Sequence, residues 1–284
     1  MSQQILDGKA LALRLKERLA IEIKTLKDAT RDVPRIVSIV VGSDPSGLSY
    51  VTSQQKAAQS LGIHYELQNF EADSSQENVL TLIAELNGYD HVHGIIINKP
   101  LPVIMDFKTL INAIDPRKDI EGMNLVNLGH LLIGDSRILP CTPSAVIQLL
   151  RSSGISLKGK HAVVIGRSEI VGKPVSLLLL KEDMTVTICH SKTGDLPGIV
   201  SRADVVVAAL GKPLFVKGEW IKKGAIVIDV GINQVDGKIV GDVDLASVKE
   251  KAAFVSPVPG GVGPLTSIIL MNNALEAFKI QHSI

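Results

Sequence analysis

The sequence predicts an α/β fold of two lobes, each a parallel sheet covered by helices. Apolar residues make up 45% of the chain and aromatic residues only 3%, and the apolar weight falls on Val, Ile, Leu and Ala, the usual filling of sheets buried on both faces. Short β-branched runs alternate with helical patterns through both halves, the order that produces parallel strands joined by right-handed crossovers. The length of 284 residues, against about 150 per domain, admits two domains of ordinary size or one large barrel.

Leu11, Leu15, Leu19, Ile23 and Leu26 recur at helical spacing and predict an amphipathic helix. Arg35–Val41 is a β-branched run closed by Gly42, a strand of the buried kind. Residues 43–47 form a polar turn, after which residues 50–61 are helical up to a stop at Gly62. His64–Phe70 is a second strand. Ser74 and Glu77 form a capping-box pattern ahead of Val79, Leu80, Ile83 and Leu86, so a helix starts there. Gly94–Ile97 is a third strand and runs into Asn98-Lys99-Pro100-Leu101-Pro102.

Pro140-Cys141-Thr142-Pro143 interrupts this series, with Thr142 as N-cap and Pro143 at the first helical position of a helix that passes Val146, Leu149 and Leu150 and ends at Gly154. A second series follows, with strands at His161–Ile165, Thr185–Cys189, 204–210 and 225–230 and a shorter one at 252–255. Residues 257–264 are too rich in Pro and Gly for helix or strand and form a shaped loop, and a helix over 265–278 closes the chain. The border between the lobes falls near residues 120–145, with the last helix returning to the first lobe.

Thirty Lys and Arg stand against 29 Asp and Glu, a formal net charge of +1, so a partner bound through many phosphates is not indicated and no nucleic-acid role is expected. Cys141 and Cys189 are too few and too far apart for a disulfide framework or a thiolate metal site, and a reducing, cytoplasmic setting is the default. The charged residues among the first 20 exclude a signal-peptide core, and no apolar run approaches the roughly 20 residues that cross a bilayer. Histidines at 64, 91, 93, 130, 161, 190 and 282 show no metal-ligand spacing on a predicted helix, so no metal is assigned.

Gly166-Arg167-Ser168-Glu169-Ile170-Val171-Gly172-Lys173-Pro174 follows an apolar strand and opens a helix, as a phosphate-cradling turn does, although Ser168 stands where a second glycine is usual. The next strand ends in Cys189-His190-Ser191-Lys192 without the acidic residue that accepts the ribose hydroxyls of NAD. Arg167, Ser191 and Lys192 can instead donate to a 2′-phosphate, so NADP is preferred over NAD.

These motifs, together with Val41-Gly-Ser-Asp-Pro45, Tyr50-Val51, Pro100-Leu-Pro102, Pro140-Cys-Thr-Pro143, Asp229-Val-Gly-Ile-Asn233 and above all Pro257-Val-Pro-Gly-Gly-Val-Gly-Pro264, resemble the methylenetetrahydrofolate dehydrogenase/cyclohydrolase family from about Leu6 to about Phe278. The resemblance implies a folate-binding catalytic domain over 1–140, joined by the helix of 265–284, and a Rossmann-type NADP-binding domain over 141–264, with a cleft between the lobes and a homodimer. It implies oxidation of 5,10-methylenetetrahydrofolate to the methenyl form, followed by hydrolysis to 10-formyltetrahydrofolate. It also implies NADP contacts at Gly166, Arg167, Ser168, Gly172, Ser191 and Ile232. Folate contacts are implied at Tyr50, Asn98, Pro100, Glu121, Pro259, Gly260 and Gly261.

Several catalytic positions depart from the family pattern. The family has Tyr-x-x-x-Lys where this chain has Tyr50-Val-Thr-Ser-Gln54, a glutamine at Asn98, an apolar residue at Lys99, Asp-Gly at Glu121-Gly122 and histidine at Asn124. Hydride transfer needs mainly alignment, whereas hydrolysis needs a proton taken from water and one given to a ring nitrogen. The amide of Gln54 cannot titrate, so the hydrolytic step is the one in doubt. Lys56 lies six residues from Tyr50, about 600° around a helix, and points away; Lys99 is the better substitute. Three readings follow: a dehydrogenase with weak hydrolysis, a full bifunctional enzyme in which Lys99 or water replaces the lysine, and a non-catalytic folate or NADP binder.

Overall fold

The computed structural model describes residues 4–284. They form two compact units, one of the described residues up to Arg14 with 140–266, the other of 15–139 with 267–284. The division falls inside α1 (Gly8–Thr30) and α10 (Val262–His282). The described residues up to Arg14, expected in the first lobe, group with the second, because β1 (Gln4–Ile5) pairs with β11 (Phe254–Val255).

The unit of 15–139 holds β2 (Arg35–Val41), α2 (Pro45–Leu61), β3 (His64–Phe70), α3 (Gln76–Gly88), β4 (Gly94–Ile97), α4 (Phe107–Ala113) and α5 (Leu125–Ile133). Its sheet has the order β3-β2-β4, all parallel. Val37, Ile39, Ile95 and Ile97 pack beneath Val79 and Ile83 of α3 and Leu110 of α4, and burial of each such side chain contributes on the order of 1.5–3 kcal/mol. A parallel bridge between Ile95 and Asp119 extends the sheet beyond β4.

The other unit holds α6 (Cys141–Ser152), β5 (His161–Ile165), α7 (Gly172–Lys181), β6 (Thr185–Cys189), α8 (Leu196–Val200), β7 (Val205–Ala208), β8 (Ile226–Asp229), β9 (Asn233–Val235), β10 (Lys238–Val240) and α9 (Leu245–Val248). Its sheet has the order β1-β11-β8-β7-β5-β6, again parallel. The chain runs outward from β5 to β6 and then returns to the other side of β5 as β7, so the carboxyl ends of β5 and β7 form a topological switch point, where open α/β sheets bind ligands.

Several boundaries differ from the expected ones. Helix α2 starts at Pro45 and absorbs most of the supposed turn, because Asp44 caps it: its Oδ1 accepts the Gly47 N–H and its carbonyl accepts the Leu48 N–H. Helix α3 is capped by Ser75 and not Ser74; Ser75 Oγ accepts the Asn78 N–H, three residues on. Helix α6 starts before Thr142, with Pro140 at the N-cap and its carbonyl taking the Ser144 N–H, so Pro143 sits inside the first turn, where its missing N–H is harmless. Helix α10 takes in the last three residues of the Pro/Gly loop for the same reason. The antiparallel pair β9 and β10 was not expected; Asp236 and Gly237, both at positive φ, form its two-residue turn.

Candidate active site

Tyr50 and Gln54 stand one turn apart on α2, and their exposures are opposite. Tyr50 is 41% exposed and Gln54 is fully buried. Gln54 Oε1 accepts a hydrogen bond from the Tyr65 hydroxyl at 2.8 Å. Tyr65, on β3, also bonds the Ser38 side chain, and burial pushes its phenol up to about 12. Ser38, on β2, accepts from Asn98 Nδ2 at 2.7 Å, and the same nitrogen donates to the Ile39 carbonyl at 3.0 Å. A buried, uncharged chain of four side chains therefore crosses the sheet from α2 to the end of β4. It leaves two buried atoms over, the donor Gln54 Nε2 and the acceptor Asn98 Oδ1, which have no protein partner. Unpartnered buried polar atoms cost about 1–3 kcal/mol each, so one left at each end of the chain marks a candidate ligand contact.

Glu121 lies beside the end of β4, two residues beyond the Ile95–Asp119 bridge. The residue is partly exposed, but its Oε2 is shut off from solvent and unpartnered. Burial, then the neighbouring Asp119, push its carboxyl up to about 8 against the pull of Lys99 and the Ile97 N–H. Lys99, exposed as a residue, sets its ammonium 3.5 Å from the centroid of the Phe107 ring. Desolvation there lowers its pKa and the Glu121 carboxylate raises it. The Lys99–Pro100 peptide is cis.

The remaining polar groups around Glu121 are scaffold. Asp119 Oδ2 takes the Asn124 N–H and Asn127 Nδ2 at 2.7 and 2.9 Å. Asn124, fully enclosed, caps α5 through the Val126 N–H and ties down the carbonyls of Ile111 and Ile114. Lys118 is buried and gives its ammonium to the carbonyls of Leu86, Asn87 and Tyr89, closing the carboxyl end of α3.

In the other unit, the turn after β5 is shaped by close backbone approach. Gly166 has φ of 130°, and a Cβ on it would lie 2.1 Å from the Ala209 carbonyl oxygen; one on Gly172 would lie 2.3 Å from the oxygen of Gly166. Ser168 Oγ accepts the N–H groups of Val171 and Gly172, so it braces the start of α7. Arg167, Ser191 and Lys192 are exposed, and Ile232 is 73% exposed. Residues 190–194, which follow β6, include no acidic side chain; there His190 accepts the Lys192 N–H and Thr193 accepts that of His190. This cradle fits a dinucleotide phosphate, with a helix N-terminus and donors beside it.

Family profiles described as "Tetrahydrofolate dehydrogenase/cyclohydrolase, catalytic domain" and "Tetrahydrofolate dehydrogenase/cyclohydrolase, NAD(P)-binding domain" match residues 6–121 and 140–282. The chain belongs to the tetrahydrofolate dehydrogenase/cyclohydrolase family. It is 48% identical to the bifunctional protein FolD of Magnetococcus marinus over 281 residues, 99% of each chain, and 45% identical to that of Bacillus pumilus over 98% of this chain and 99% of the relative. The crystal structure of the bifunctional FolD enzyme from Campylobacter jejuni superposes with a TM-score of 0.96 at 40% identity, covering 98% of this chain and 99% of that one. The Trypanosoma brucei dehydrogenase-cyclohydrolase, solved with NADP and an inhibitor, gives 0.94 at 38% identity over 99% of both.

With the family established, the expected folate residues divide between the units. Tyr50, Gln54, Asn98, Lys99, Pro100 and Glu121 lie in the unit of the three-stranded sheet, and Pro259, Gly260 and Gly261 in the other. The last two glycines have a local duty: Gly260 accepts the Gly8 N–H at 2.9 Å, and a Cβ on Gly8 would strike the Gly261 oxygen at 1.7 Å.

Sequence reasoning missed Ser38 and Tyr65, which look like ordinary strand residues until the register brings them to Gln54 and Asn98. It also missed Asp242. That carboxylate is buried and accepts four hydrogen bonds, from the N–H groups of Leu210, Gly211 and Lys212 and from Asn233 Nδ2, while Asp229 accepts those of Gly231, Asp242 and Val243. Two carboxylates thus hold the loops after β7 and β8, the second of which carries Ile232. The Gly241-Asp-Val-Asp244 stretch was the available signal.

Asp32, His93 and His282 bring ligand-type atoms within 4.8 Å of one another, a cluster that sequence spacing did not show. His93 Nδ1 accepts the Arg35 N–H at 3.1 Å, which puts the proton of the neutral ring on Nε2. Burial pushes His93 down to about 4, so the ring is neutral over the ordinary range. The cluster offers a cation two ligands, not three.

Proposed function

We propose that this chain oxidises 5,10-methylenetetrahydrofolate to the 5,10-methenyl form. The observation that carries the reading is the uncharged chain Gln54–Tyr65–Ser38–Asn98, with its spare donor and acceptor, beside the Glu121 carboxyl. Amide and carboxyl groups of that kind match the donor and acceptor edge of a pterin ring. The ring of Tyr50, 41% exposed, presents a flat face of the kind that stacks on the aromatic middle of a folate. Bound NADP supplies the hydride acceptor. The substrate nitrogen stabilises the cation that forms, so the protein has only to hold the two rings in line, and no side chain need titrate.

NADP is preferred over NAD because exposed Ser191 and Lys192 follow β6, where NAD enzymes keep a carboxylate, and exposed Arg167 follows the neighbouring β5. The chain forms a homodimer in this reading; Leu132 and Ile133 of α5, 68% and 72% exposed, offer apolar surface for it, and light scattering after gel filtration tests it. Absorbance of the methenyl product, followed with purified protein, methylenetetrahydrofolate and either dinucleotide, tests the activity. Product formed with NADP and much more slowly with NAD is expected; no oxidation with either overturns the proposal.

A further inference from the structure

We propose that Lys99 carries the protons for hydrolysis of the methenyl cation in this chain, with the Glu121 carboxyl beside it as the positioning residue. The inference rests on the folate reading above and assigns the second reaction of the same site. Hydrolysis requires a group that both takes and gives a proton near neutrality. Among the described residues of the cluster, Gln54 and Asn98 are amides and cannot serve. The Tyr65 phenol is enclosed and donates to Gln54. Asp119 is fully enclosed, with Oδ2 held by Asn124 and Asn127 and Oδ1 buried without a partner, so it cannot reach solvent, and the Lys118 ammonium is held by three carbonyls. Lys99 and Glu121 remain.

The backbone explains why these two meet. The parallel bridge of Ile95 with Asp119 sets residue 97 beside residue 121, so the chain leaving β4 and the Glu121 side chain emerge at the same end of the sheet. Asn98 is pinned there by its bonds to Ser38 and Ile39, which fixes the backbone from which Lys99 departs. The Phe107 ring, 3.5 Å from Nζ, seats the amine on an apolar face that removes part of its water. Desolvation opposes the charged form, and the ring and the Glu121 side chain, once ionised, favour it. An amine held between those influences can exchange a proton, which an amide cannot.

The step balances as follows. A water oxygen bonds to the methenyl carbon, and one water proton passes to the neutral Lys99 amine. The ammonium then gives that proton to N5 as the carbon–N5 bond breaks, its electron pair staying on N5. The remaining hydroxyl proton leaves to solvent as the carbonyl forms, so methenyl cation and water become 10-formyltetrahydrofolate and one proton.

The test compares hydrolysis of methenyltetrahydrofolate with NADP-dependent oxidation in the same preparations of wild type, Lys99→Met and Lys99→Arg. Both variants should lower the ratio of hydrolysis to oxidation by about 10²–10⁴, because the guanidinium keeps the charge but does not release its proton. The hydrolysis rate of the wild type should rise with pH as Lys99 loses its proton, and Glu121→Gln should move that limb to lower pH, since the carboxylate raises the Lys99 pKa. A purely structural role for Glu121 would leave the limb in place. Hydrolysis retained in Lys99→Arg, a limb unmoved by Glu121→Gln, or a wild type that oxidises but never hydrolyses each overturns the proposal. A wild type that does not oxidise at all removes the folate reading and this inference with it.

Discussion

Replacing Asp242 by Asn tests whether one carboxylate holds the cofactor-side loops in place. Oδ2 accepts the N–H groups of Leu210 and Gly211 at 2.7 and 3.0 Å, and Oδ1 accepts Lys212 N–H and Asn233 Nδ2 at 2.9 Å each. The side chain is fully enclosed. An asparagine keeps one oxygen, which can satisfy two of these donors, and turns an NH₂ group toward the other two. Two enclosed donors left unpaired cost about 1–3 kcal/mol each, so roughly 2–6 kcal/mol is lost from the loop-closed state. That is a large share of the 5–15 kcal/mol typical of a whole domain. Hydrogen exchange reads it directly: the amides of residues 210–212 should exchange at least about 30-fold faster in Asp242→Asn, the factor that 2 kcal/mol implies. The thermal midpoint should fall, and calorimetry should show weaker NADP binding. Asn233→Ala, which removes one donor and leaves the carboxylate three, should cost about 1 kcal/mol or less. Unchanged exchange at 210–212 in Asp242→Asn would refute the reasoning.

Three further outcomes follow from the same geometry. Gly166→Ala, whose Cβ would lie 2.1 Å from the Ala209 oxygen at a φ of 130°, should displace the turn and abolish NADP binding by calorimetry while leaving the three-stranded unit folded by circular dichroism. Arg167→Ala should weaken NADP by about 10-fold or more and NAD little, since a charge-assisted bond to a 2′-phosphate contributes roughly 1.5–3 kcal/mol; equal loss for both dinucleotides would remove Arg167 from that role. The Glu121 carboxyl is raised from 4.5 to about 8 and that of Asp229 from 3.8 to about 6. Their folded forms hold the proton more tightly, so their contribution to stability is full below the ordinary carboxyl range and is lost as pH rises through about 6 for Asp229 and about 8 for Glu121. Denaturation midpoints should fall between pH 5 and 8 on this account, and Glu121→Gln should flatten the upper part of that slope.

Much of the fold was legible in the residues because its signals are local. Short β-branched runs such as Arg35–Val41 and His161–Ile165 read as buried strands, and the helical spacing from Leu11 to Leu26 reads as an amphipathic helix. Where reading failed, competing local signals were at work: Ser74 and Ser75 both suit a cap, and only the backbone placed the Asn78 N–H on Ser75. Thr142 looked like a cap because Pro143 follows it, yet a proline is tolerated anywhere in the first turn.

The chain by itself determined the α/β class, the nucleotide turn at Gly166–Gly172, the family, and the residue types at positions 50, 54, 98, 99 and 121, all of which depend on identity and short-range order. Which of those residues act together was decided only by tertiary structure. The register of β2 with β3 and β4 joins Gln54 to Asn98 through Ser38 and Tyr65, and the Ile95–Asp119 bridge brings Glu121 to the side of Lys99. Burial then turned an ordinary glutamate into one that holds its proton to about 8. Solvation and hydrogen bonding between residues far apart in sequence set those properties, and neither exists until the chain has folded.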